Sequence, residues 1–247
     1  MKRVLNYAGS KWGMAKWLVK QMPEHEIYLE PFFGSGAVLF NKRAARIETV
    51  NDIDSNVTNL FKVMRERPIE LANVIDLTPY AREEYLQCFD GLEHDVSELE
   101  RARLFLIRCW FAHSGKTGTR TSWRHDINSG NAKALKEWNQ LPDLILNVSG
   151  RLKNVQIESM DALELIKKYN RADCLIYADP PYLRKTKTQG MYRYEMKKEQ
   201  HINFLEIIKE HPGPVIISGY DSDLYDLYLM GWKKQRYKEK EVIWTNF

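Results

Sequence analysis

The segment DCLIYADPPY, residues 173–182, joins a short apolar run to two consecutive prolines. Leu175, Ile176, Tyr177 and Ala178 carry no charge and suit a strand buried on both faces. Proline donates no ladder hydrogen bond, so such a strand ends at Asp179 and the backbone turns out of the sheet. In open α/β sheets ligands sit at the carboxyl ends of the strands. Asp179, Pro180, Pro181 and Tyr182 therefore bring a carboxylate, a backbone carbonyl and a flat ring to such an edge.

Both flanks agree with this reading. Upstream, IYLEPFF (27–33) reads as a strand ending in a turn, GSGAVLFNKRA as that turn entering a helix, and IETVNDID (47–54) as a second strand. After residue 150 the rhythm resumes: NVQIES (154–159) is a strand, DALELIKKY a helix, MKKEQHINFLEIIKEH a helix and GPVIISGY (213–220) a strand. The closing segment predicts a helix and a hairpin. This alternation predicts a parallel α/β sheet.

Between 57 and 150 helical periodicity takes over, in VTNLFKVMRERPIELANVI and SELERARLFLIRCWFAH (97–113), with Thr78 and Pro79 as helix-start residues between them. Phe105, Trp110 and Trp138 fall on apolar helical faces and are expected in the core. SGKTGTRTSWRHDINSGN (114–131) is almost free of aliphatic residues and predicts a long surface loop or hairpin. The expected organisation is one α/β domain, 1–56 and 151–247, interrupted by a mostly helical insertion, 57–150.

Whole-chain numbers narrow the setting. The 247 residues are 44% hydrophobic and 28% charged, with net charge +4. No stretch approaches the roughly 20 apolar residues of a membrane span. MKRVLNYAGSK lacks the apolar core of a secretory signal. Three cysteines without a CxxC pair predict neither a disulfide framework nor a zinc site, so a cytoplasmic setting without a metal is expected. Basic residues cluster: from Arg101 to Lys136 eight face only Asp126, and from Arg184 to Lys198 Glu195 is the lone acid.

The chemistry of the proline segment follows from what an aromatic amine needs. Its lone pair is delocalised into the ring, so it is a poor nucleophile. The Asp179 carboxylate and the Pro180 carbonyl are suited to accept its two N–H hydrogens and turn the lone pair toward an activated methyl. Tyr182 offers a stacking face worth roughly 1–3 kcal/mol. In EPFFGSGAV, Gly34 and Gly36 after a strand permit a tight turn and close approach to a ligand, and about twenty residues on Asp52 and Asp54 are placed to accept ribose hydroxyls. This is neither GxGxxG nor GxxxxGK[ST]. In NYAGSK (6–11), Tyr7 supplies a ring, Lys11 a cation, and the amides around Gly9 suit a carboxylate. Asp161 suits an adenine amino group or a helix N-cap.

In this order the motifs resemble the Dam-like family of DNA adenine-N6 methyltransferases, especially small phage-type members, over nearly the whole chain. The resemblance implies a Rossmann-like S-adenosylmethionine-dependent methyltransferase fold with an inserted target-recognition region. It also implies methyl transfer to adenine N6 in double-stranded DNA, with base flipping. Asp179, Pro180, Pro181 and Tyr182 become the catalytic set. The cofactor set is Tyr7, Ala8, Gly9, Lys11, Glu30, Pro31, Phe32, Gly34, Ser35, Gly36, Asp52 (with Asp54 second), Asp161 and Asp179. Lys116, Arg120, Trp123 and Arg124 become DNA contacts, and Tyr192 or Tyr194 closes over the base. A monomer is expected. Ser10 departs from a commonly found glycine, and the insertion does not visibly match the part that reads GATC in the best-known members. Two other readings use the same residues: methylation of RNA adenine or a protein amide nitrogen, and a non-catalytic nucleic-acid-binding protein of the same fold.

Overall fold

A computed structural model describes residues 1–93, 95–113, 115, 119–125, 133–183 and 192–247. These fall into two compact units. Of the described residues, one holds those of Lys11–Ile53, Asn154–Thr188 and Tyr194–Phe247; the other holds those of Met1–Ser10, Asp54–Lys153 and Gln189–Arg193.

In chain order the sheet unit contains α1 (Ala15–Val19), β1 (Ile27–Glu30) and β2 (Ile47–Asn51). The helical unit contributes α2 (Ser55–Glu66), α3 (Pro68–Asp76), α4 (Arg82–Glu93), α5 (Glu98–Phe111), α6 (Lys133–Asn139) and α7 (Leu141–Leu152). The chain then returns to the sheet with β3 (Val155–Glu158), α8 (Ala162–Lys168), β4 (Cys174–Ala178), α9 (Lys198–Lys209), β5 (Val215–Tyr220), α10 (Asp223–Tyr228), β6 (Lys233–Tyr237) and β7 (Glu241–Thr245).

The described strands form one seven-stranded sheet, ordered β3-β2-β1-β4-β5-β7-β6. β3, β2, β1, β4 and β5 run parallel, and β7 lies antiparallel between β5 and β6. This is the Rossmann-like α/β sheet the sequence predicts, closed by the predicted hairpin. β4 is buried at every position, and β1 and β5 pair with its two edges. Its alternate residues Cys174, Ile176 and Ala178 join Ile27 and Leu29 of β1 and Val215 and Ile217 of β5 in one core, packed by Leu165 of α8 and Phe204 of α9.

Two local expectations are corrected, and a third, the helical run after β2, is refined. GSGAVLFNKRA does not enter a helix. Phe40 N–H reaches the Gly36 carbonyl at 3.1 Å, but Asn41 Nδ2 donates to the Ala37 carbonyl at 2.8 Å, and the segment stays a pair of turns. The next residue, Lys42, pairs through Nζ with Glu48 Oε1 of β2 at 2.6 Å, drawing the chain into the next strand. The run VTNLFKVMRERPIELANVI splits at Pro68, whose ring pushes Arg67 out of the helical region (φ −133°, ψ 47°). Thr78 closes α3 rather than starting α4, donating from Oγ1 to the Val74 carbonyl at 2.6 Å.

In the helical unit, the N-terminal strand of chain lies on α5: Asn6 Nδ2 donates to the Cys109 carbonyl and Trp110 Nε1 to the Val4 carbonyl. Phe105, Trp110 and Trp138 are buried as expected.

Lys42 and Glu48, with side chains 2% and 1% exposed, are a buried ion pair inside the sheet unit, and Lys42 Nζ also lies 4.3 Å from the Tyr28 ring centroid. Removing one member of such a pair strands a buried charge, at a cost of about 3–5 kcal/mol. Lys42→Met should therefore lower the unfolding free energy in urea by about that amount. Adding Glu48→Leu should recover most of the loss. An unchanged midpoint in the single variant would show that the pair does not matter to stability.

Candidate active site

The carboxyl edge of the sheet is where the backbone leaves β4. Asp179, the first residue past the strand, is held from two sides. Ser218 Oγ of β5 donates to its Oδ1 at 2.8 Å, and Lys11 Nζ pairs with its Oδ2 at 2.9 Å. Because a carboxylate only accepts, Ser218 spends its proton on Asp179, and Tyr177, 2.9 Å away, donates to Ser218 in turn. This chain reaches from the buried side of β4 to the edge, and fixes the rotamer of Asp179. Lys11, the cation of the NYAGSK segment, is itself buried, and Asp179 is its ion-pair partner.

Tyr182 lies beside this pair. Lys11 Nζ is 4.7 Å from its ring centroid, its hydroxyl donates to Glu241 Oε2 at 2.8 Å, and the Tyr220 ring meets it edge-on at 4.5 Å. Burial pushes the Tyr182 phenol well above its ordinary value, and the charges of Asp179 and Glu241 add to that push.

The ends of β1, β2 and β3 form the other half of the edge. Asn51, the last residue of β2, donates from Nδ2 to the carbonyls of Pro31 and Met160 and accepts the Met160 N–H at Oδ1. One buried amide thus staples three strand ends. Gly34 and Gly36 adopt φ of +49° and +67°, and a Cβ on Gly36 would lie 2.6 Å from the Phe40 ring and 2.7 Å from that of Phe33. Only glycine fits there. Gly34 N–H donates to Asp52 Oδ2 at 2.8 Å, tying the turn to the acid at the end of β2.

The two candidate ribose acids separate clearly. Asp52 is half-buried on the glycine turn, within the sheet unit. Asp54 is 2% exposed and caps α2, accepting the Asn56 N–H at Oδ1; burial raises its pKa. Asp161 caps α8 through the N–H groups of Leu163 and Glu164 and keeps an exposed position. Glu30, Pro31, Phe32 and Ser35 flank the same turn; Pro31, Ser35 and Glu30 are buried, and Phe32 packs edge-on against Phe204.

In the helical unit, Gly9 has φ +71°, and a Cβ there would lie 1.9 Å from the Tyr192 hydroxyl. Tyr192 therefore packs on the glycine of NYAGSK, 6.0 Å from the Tyr7 ring, while Tyr194 is exposed. Ala8 N–H donates to the Gly115 carbonyl. The strip after α5 folds back, with Trp123 bridging to Ala112. Arg124 pairs with Glu137 at 3.0 Å. The Trp123 ring stacks on His125 at 5.1 Å and lies under the Arg82 guanidinium. Arg120 is exposed, with its guanidinium 4.9 Å from the Phe89 ring. Lys116 lies outside the described residues.

Sequence reasoning missed Ser218, Glu241, Tyr220 and Asn51. Ser218 was visible as the lone hydroxyl inside the apolar run PVIIS, and Asn51 as an amide closing IETVN. Glu241 and Tyr220 gave no signal, because only strand pairing brings them to Tyr182.

A model of the D12 class N6 adenine-specific DNA methyltransferase family matches residues 7–244. The chain is similar to the type II methyltransferase M.MjaIII of Methanocaldococcus jannaschii, 23% identical over 274 residues, covering 98% of this chain and 93% of that protein. It is 24% identical over 231 residues to the DNA adenine methylase of Escherichia coli strain K12, covering 89% of this chain and 81% of that one. It is also 25% identical over 197 residues to the DNA N-6-adenine-methyltransferase of Escherichia phage P1, covering 78% of this chain and 26% of that protein.

Glu30 gives the edge a measurable signature. Burial, with the Asp179 charge adding to it, pushes its carboxyl up to about 8 against the hydrogen bond from Tyr28. The native protein then keeps a proton that the unfolded chain releases above its ordinary value of 4.5. Its contribution to stability is present below that value and is lost as pH rises through about 8. Glu30→Gln should remove a decline of up to about 1.4 kcal/mol per pH unit across that window in urea titrations. Parallel curves for parent and variant would refute the assignment.

Proposed function

The chain belongs to the D12 class N6 adenine-specific DNA methyltransferase family, and we propose that it methylates N6 of an adenine flipped out of duplex DNA. The observation that carries the residue assignment is Asp179, locked by Ser218 and Lys11 at the proline-terminated end of β4 with Tyr182 beside it.

The methyl donor is S-adenosylmethionine, which supplies a methyl group already activated on a positively charged sulfur. The edge fits such a group. The turn at Gly34 and Gly36 tolerates no side chain at Gly36, and Asp52 stands on that turn with the carboxylate a ribose diol requires. Asp52 is assigned the ribose, and Asp54 a helix cap. Asp161 keeps its cap and is assigned the adenine amino group of the donor. Glu30, Pro31, Phe32 and Ser35 shape the turn. Tyr7, Ala8, Gly9 and Lys11 take their cofactor role from the NYAGSK motif.

Asp179 and the Pro180 carbonyl accept the two N6 hydrogens, while Tyr182 stacks on the base. Holding the amine this way aligns its lone pair, and alignment supplies much of the rate. Asp179 acts here as an orienting acceptor, since the proton leaves a nitrogen already made acidic by methylation. A base within a duplex is unreachable, so the target must be extruded. Target reading is assigned to the insertion, 57–150, and catalysis to 1–56 and 151–247. Among the described residues of the recognition strip Arg120 is an exposed cation, while Arg124 and Trp123 act from packed positions; Lys116 and Tyr194 complete the proposed contacts.

Incubation with S-adenosylmethionine and unmethylated duplex DNA, followed by nucleoside mass spectrometry, should yield N6-methyladenine. Methyl transfer to RNA or peptide instead would overturn the reading. Asp179→Ala should cut single-turnover transfer by at least about 10²-fold, the scale of losing a preorganised acceptor. Arg120→Ala should weaken DNA binding and lower its salt dependence by about one ion, with no change in S-adenosylmethionine affinity.

A further inference from the structure

Glu241 has no part in the chemistry assigned so far, yet it reaches the residue on which the base stacks. It opens β7, where the antiparallel register sets it across from Tyr220, the last residue of β5. Both members of this cross-strand pair meet Tyr182: Glu241 Oε2 accepts from the hydroxyl at 2.8 Å, and the Tyr220 ring packs edge-on with an interplanar angle of 66°. The Lys11 ammonium lies over the ring. The prolines fix the backbone before Tyr182, but they leave the side-chain torsions of Tyr182 to be set by its neighbours.

We propose that Glu241 is a positioning residue for methyl transfer: through the Tyr182 hydroxyl it sets the plane of the ring against which the target base stacks, with Tyr220 closing the clamp. The inference rests on the adenine-methylation reading above. A hydroxyl bonded to a carboxylate forms a charge-assisted bond, shorter and stronger than a neutral one. The plane matters because the N6 lone pair projects from the face of the base as the nitrogen becomes tetrahedral. A tilted ring tilts the base and moves the lone pair off the line of transfer, a loss felt in rate rather than in binding. Glu241 is half-buried and its carboxyl is pushed up by burial, so the carboxylate is kept there at a cost in solvation. A merely structural Glu241 would serve the β6–β7 hairpin, where it also pairs in register with Tyr237.

The test is a double-mutant cycle on the full chain with Glu241→Ala, Tyr182→Phe and both together. Glu241→Ala should slow single-turnover transfer to duplex DNA about tenfold, with the KM for S-adenosylmethionine and the melting temperature little changed. Added to Tyr182→Phe, it should cost no more than about twofold, because the hydroxyl through which it works is gone. Glu241→Gln, whose amide oxygen still accepts from the phenol, should recover most of the rate. Equal losses in both backgrounds, or a Gln variant no better than Ala, would overturn the clamp. A parent that methylates no DNA adenine would sink the functional reading instead. The clamp would then be read without turnover, from the NMR signal of the hydroxyl-bearing ring carbon of labelled Tyr182, assigned with Tyr182→Phe. That signal should move on Glu241→Ala and move less on Glu241→Gln; an unmoved signal refutes the clamp.

Discussion

A buried strand that two prolines forbid to continue governs this sheet. β4 has partners on both edges and no exposed position, so its register is held by pairing on both sides and by packing on both faces. Pro180 and Pro181 then end it at one residue. The carboxylate of Asp179 is delivered at a fixed point, and its neighbours can be specified from strands whose own positions are set by pairing with β4. Ser218 arrives from β5 and the glycine turn from the end of β1.

That geometry explains why the edge is polar yet ordered. A carboxylate at the rim of an apolar sheet loses water and must be repaid in hydrogen bonds. Tyr177 to Ser218 to Asp179 is one such relay, and Asn51 performs the same service for the carbonyls of Pro31 and Met160. Neither arrangement uses long flexible side chains, so both hold their atoms at little entropic cost. Lys11 is the exception: it is long and buried, and its ammonium touches both Asp179 and the Tyr182 face.

How much of this was legible in the sequence follows from which signals are local. A run such as LIYA followed by two prolines states both a strand and its end, and alternating strand and helix segments state a parallel sheet. Gly34 and Gly36 state a turn. What the sequence hid are facts of register and side-chain competition. The segment after Gly36 has helical propensity, but Asn41 takes the Ala37 carbonyl and Lys42 is drawn to Glu48. Thr78 is as good a closing residue as an opening one, and only its bond to the Val74 carbonyl decides. Asp52 and Asp54 look alike in VNDID; one follows the glycine turn and the other caps a helix. Glu241 stands 59 residues beyond Tyr182 and meets it only because β7 inserts antiparallel beside β5.

Departures from local rules separate the working edge from the rest of the sheet. The positive-φ Gly34 and Gly36, the buried Lys11, the Glu30 carboxyl pushed up to about 8 and a strand cut short at Asp179 are all departures of this kind, and they gather at the carboxyl ends of β1 and β4 or beside them. Lys42 and Glu48 break a rule too, but each supplies the charge the other needs, 2.6 Å apart and with side chains at most 2% exposed, which is how a structural pair is built. The Asp179 carboxylate differs: its side chain stays 18% exposed while two donors hold it still. A group that is immobilised yet left open to solvent gains less from burial than a core pair does. Its arrangement is therefore explained by what it is to accept rather than by what it stabilises.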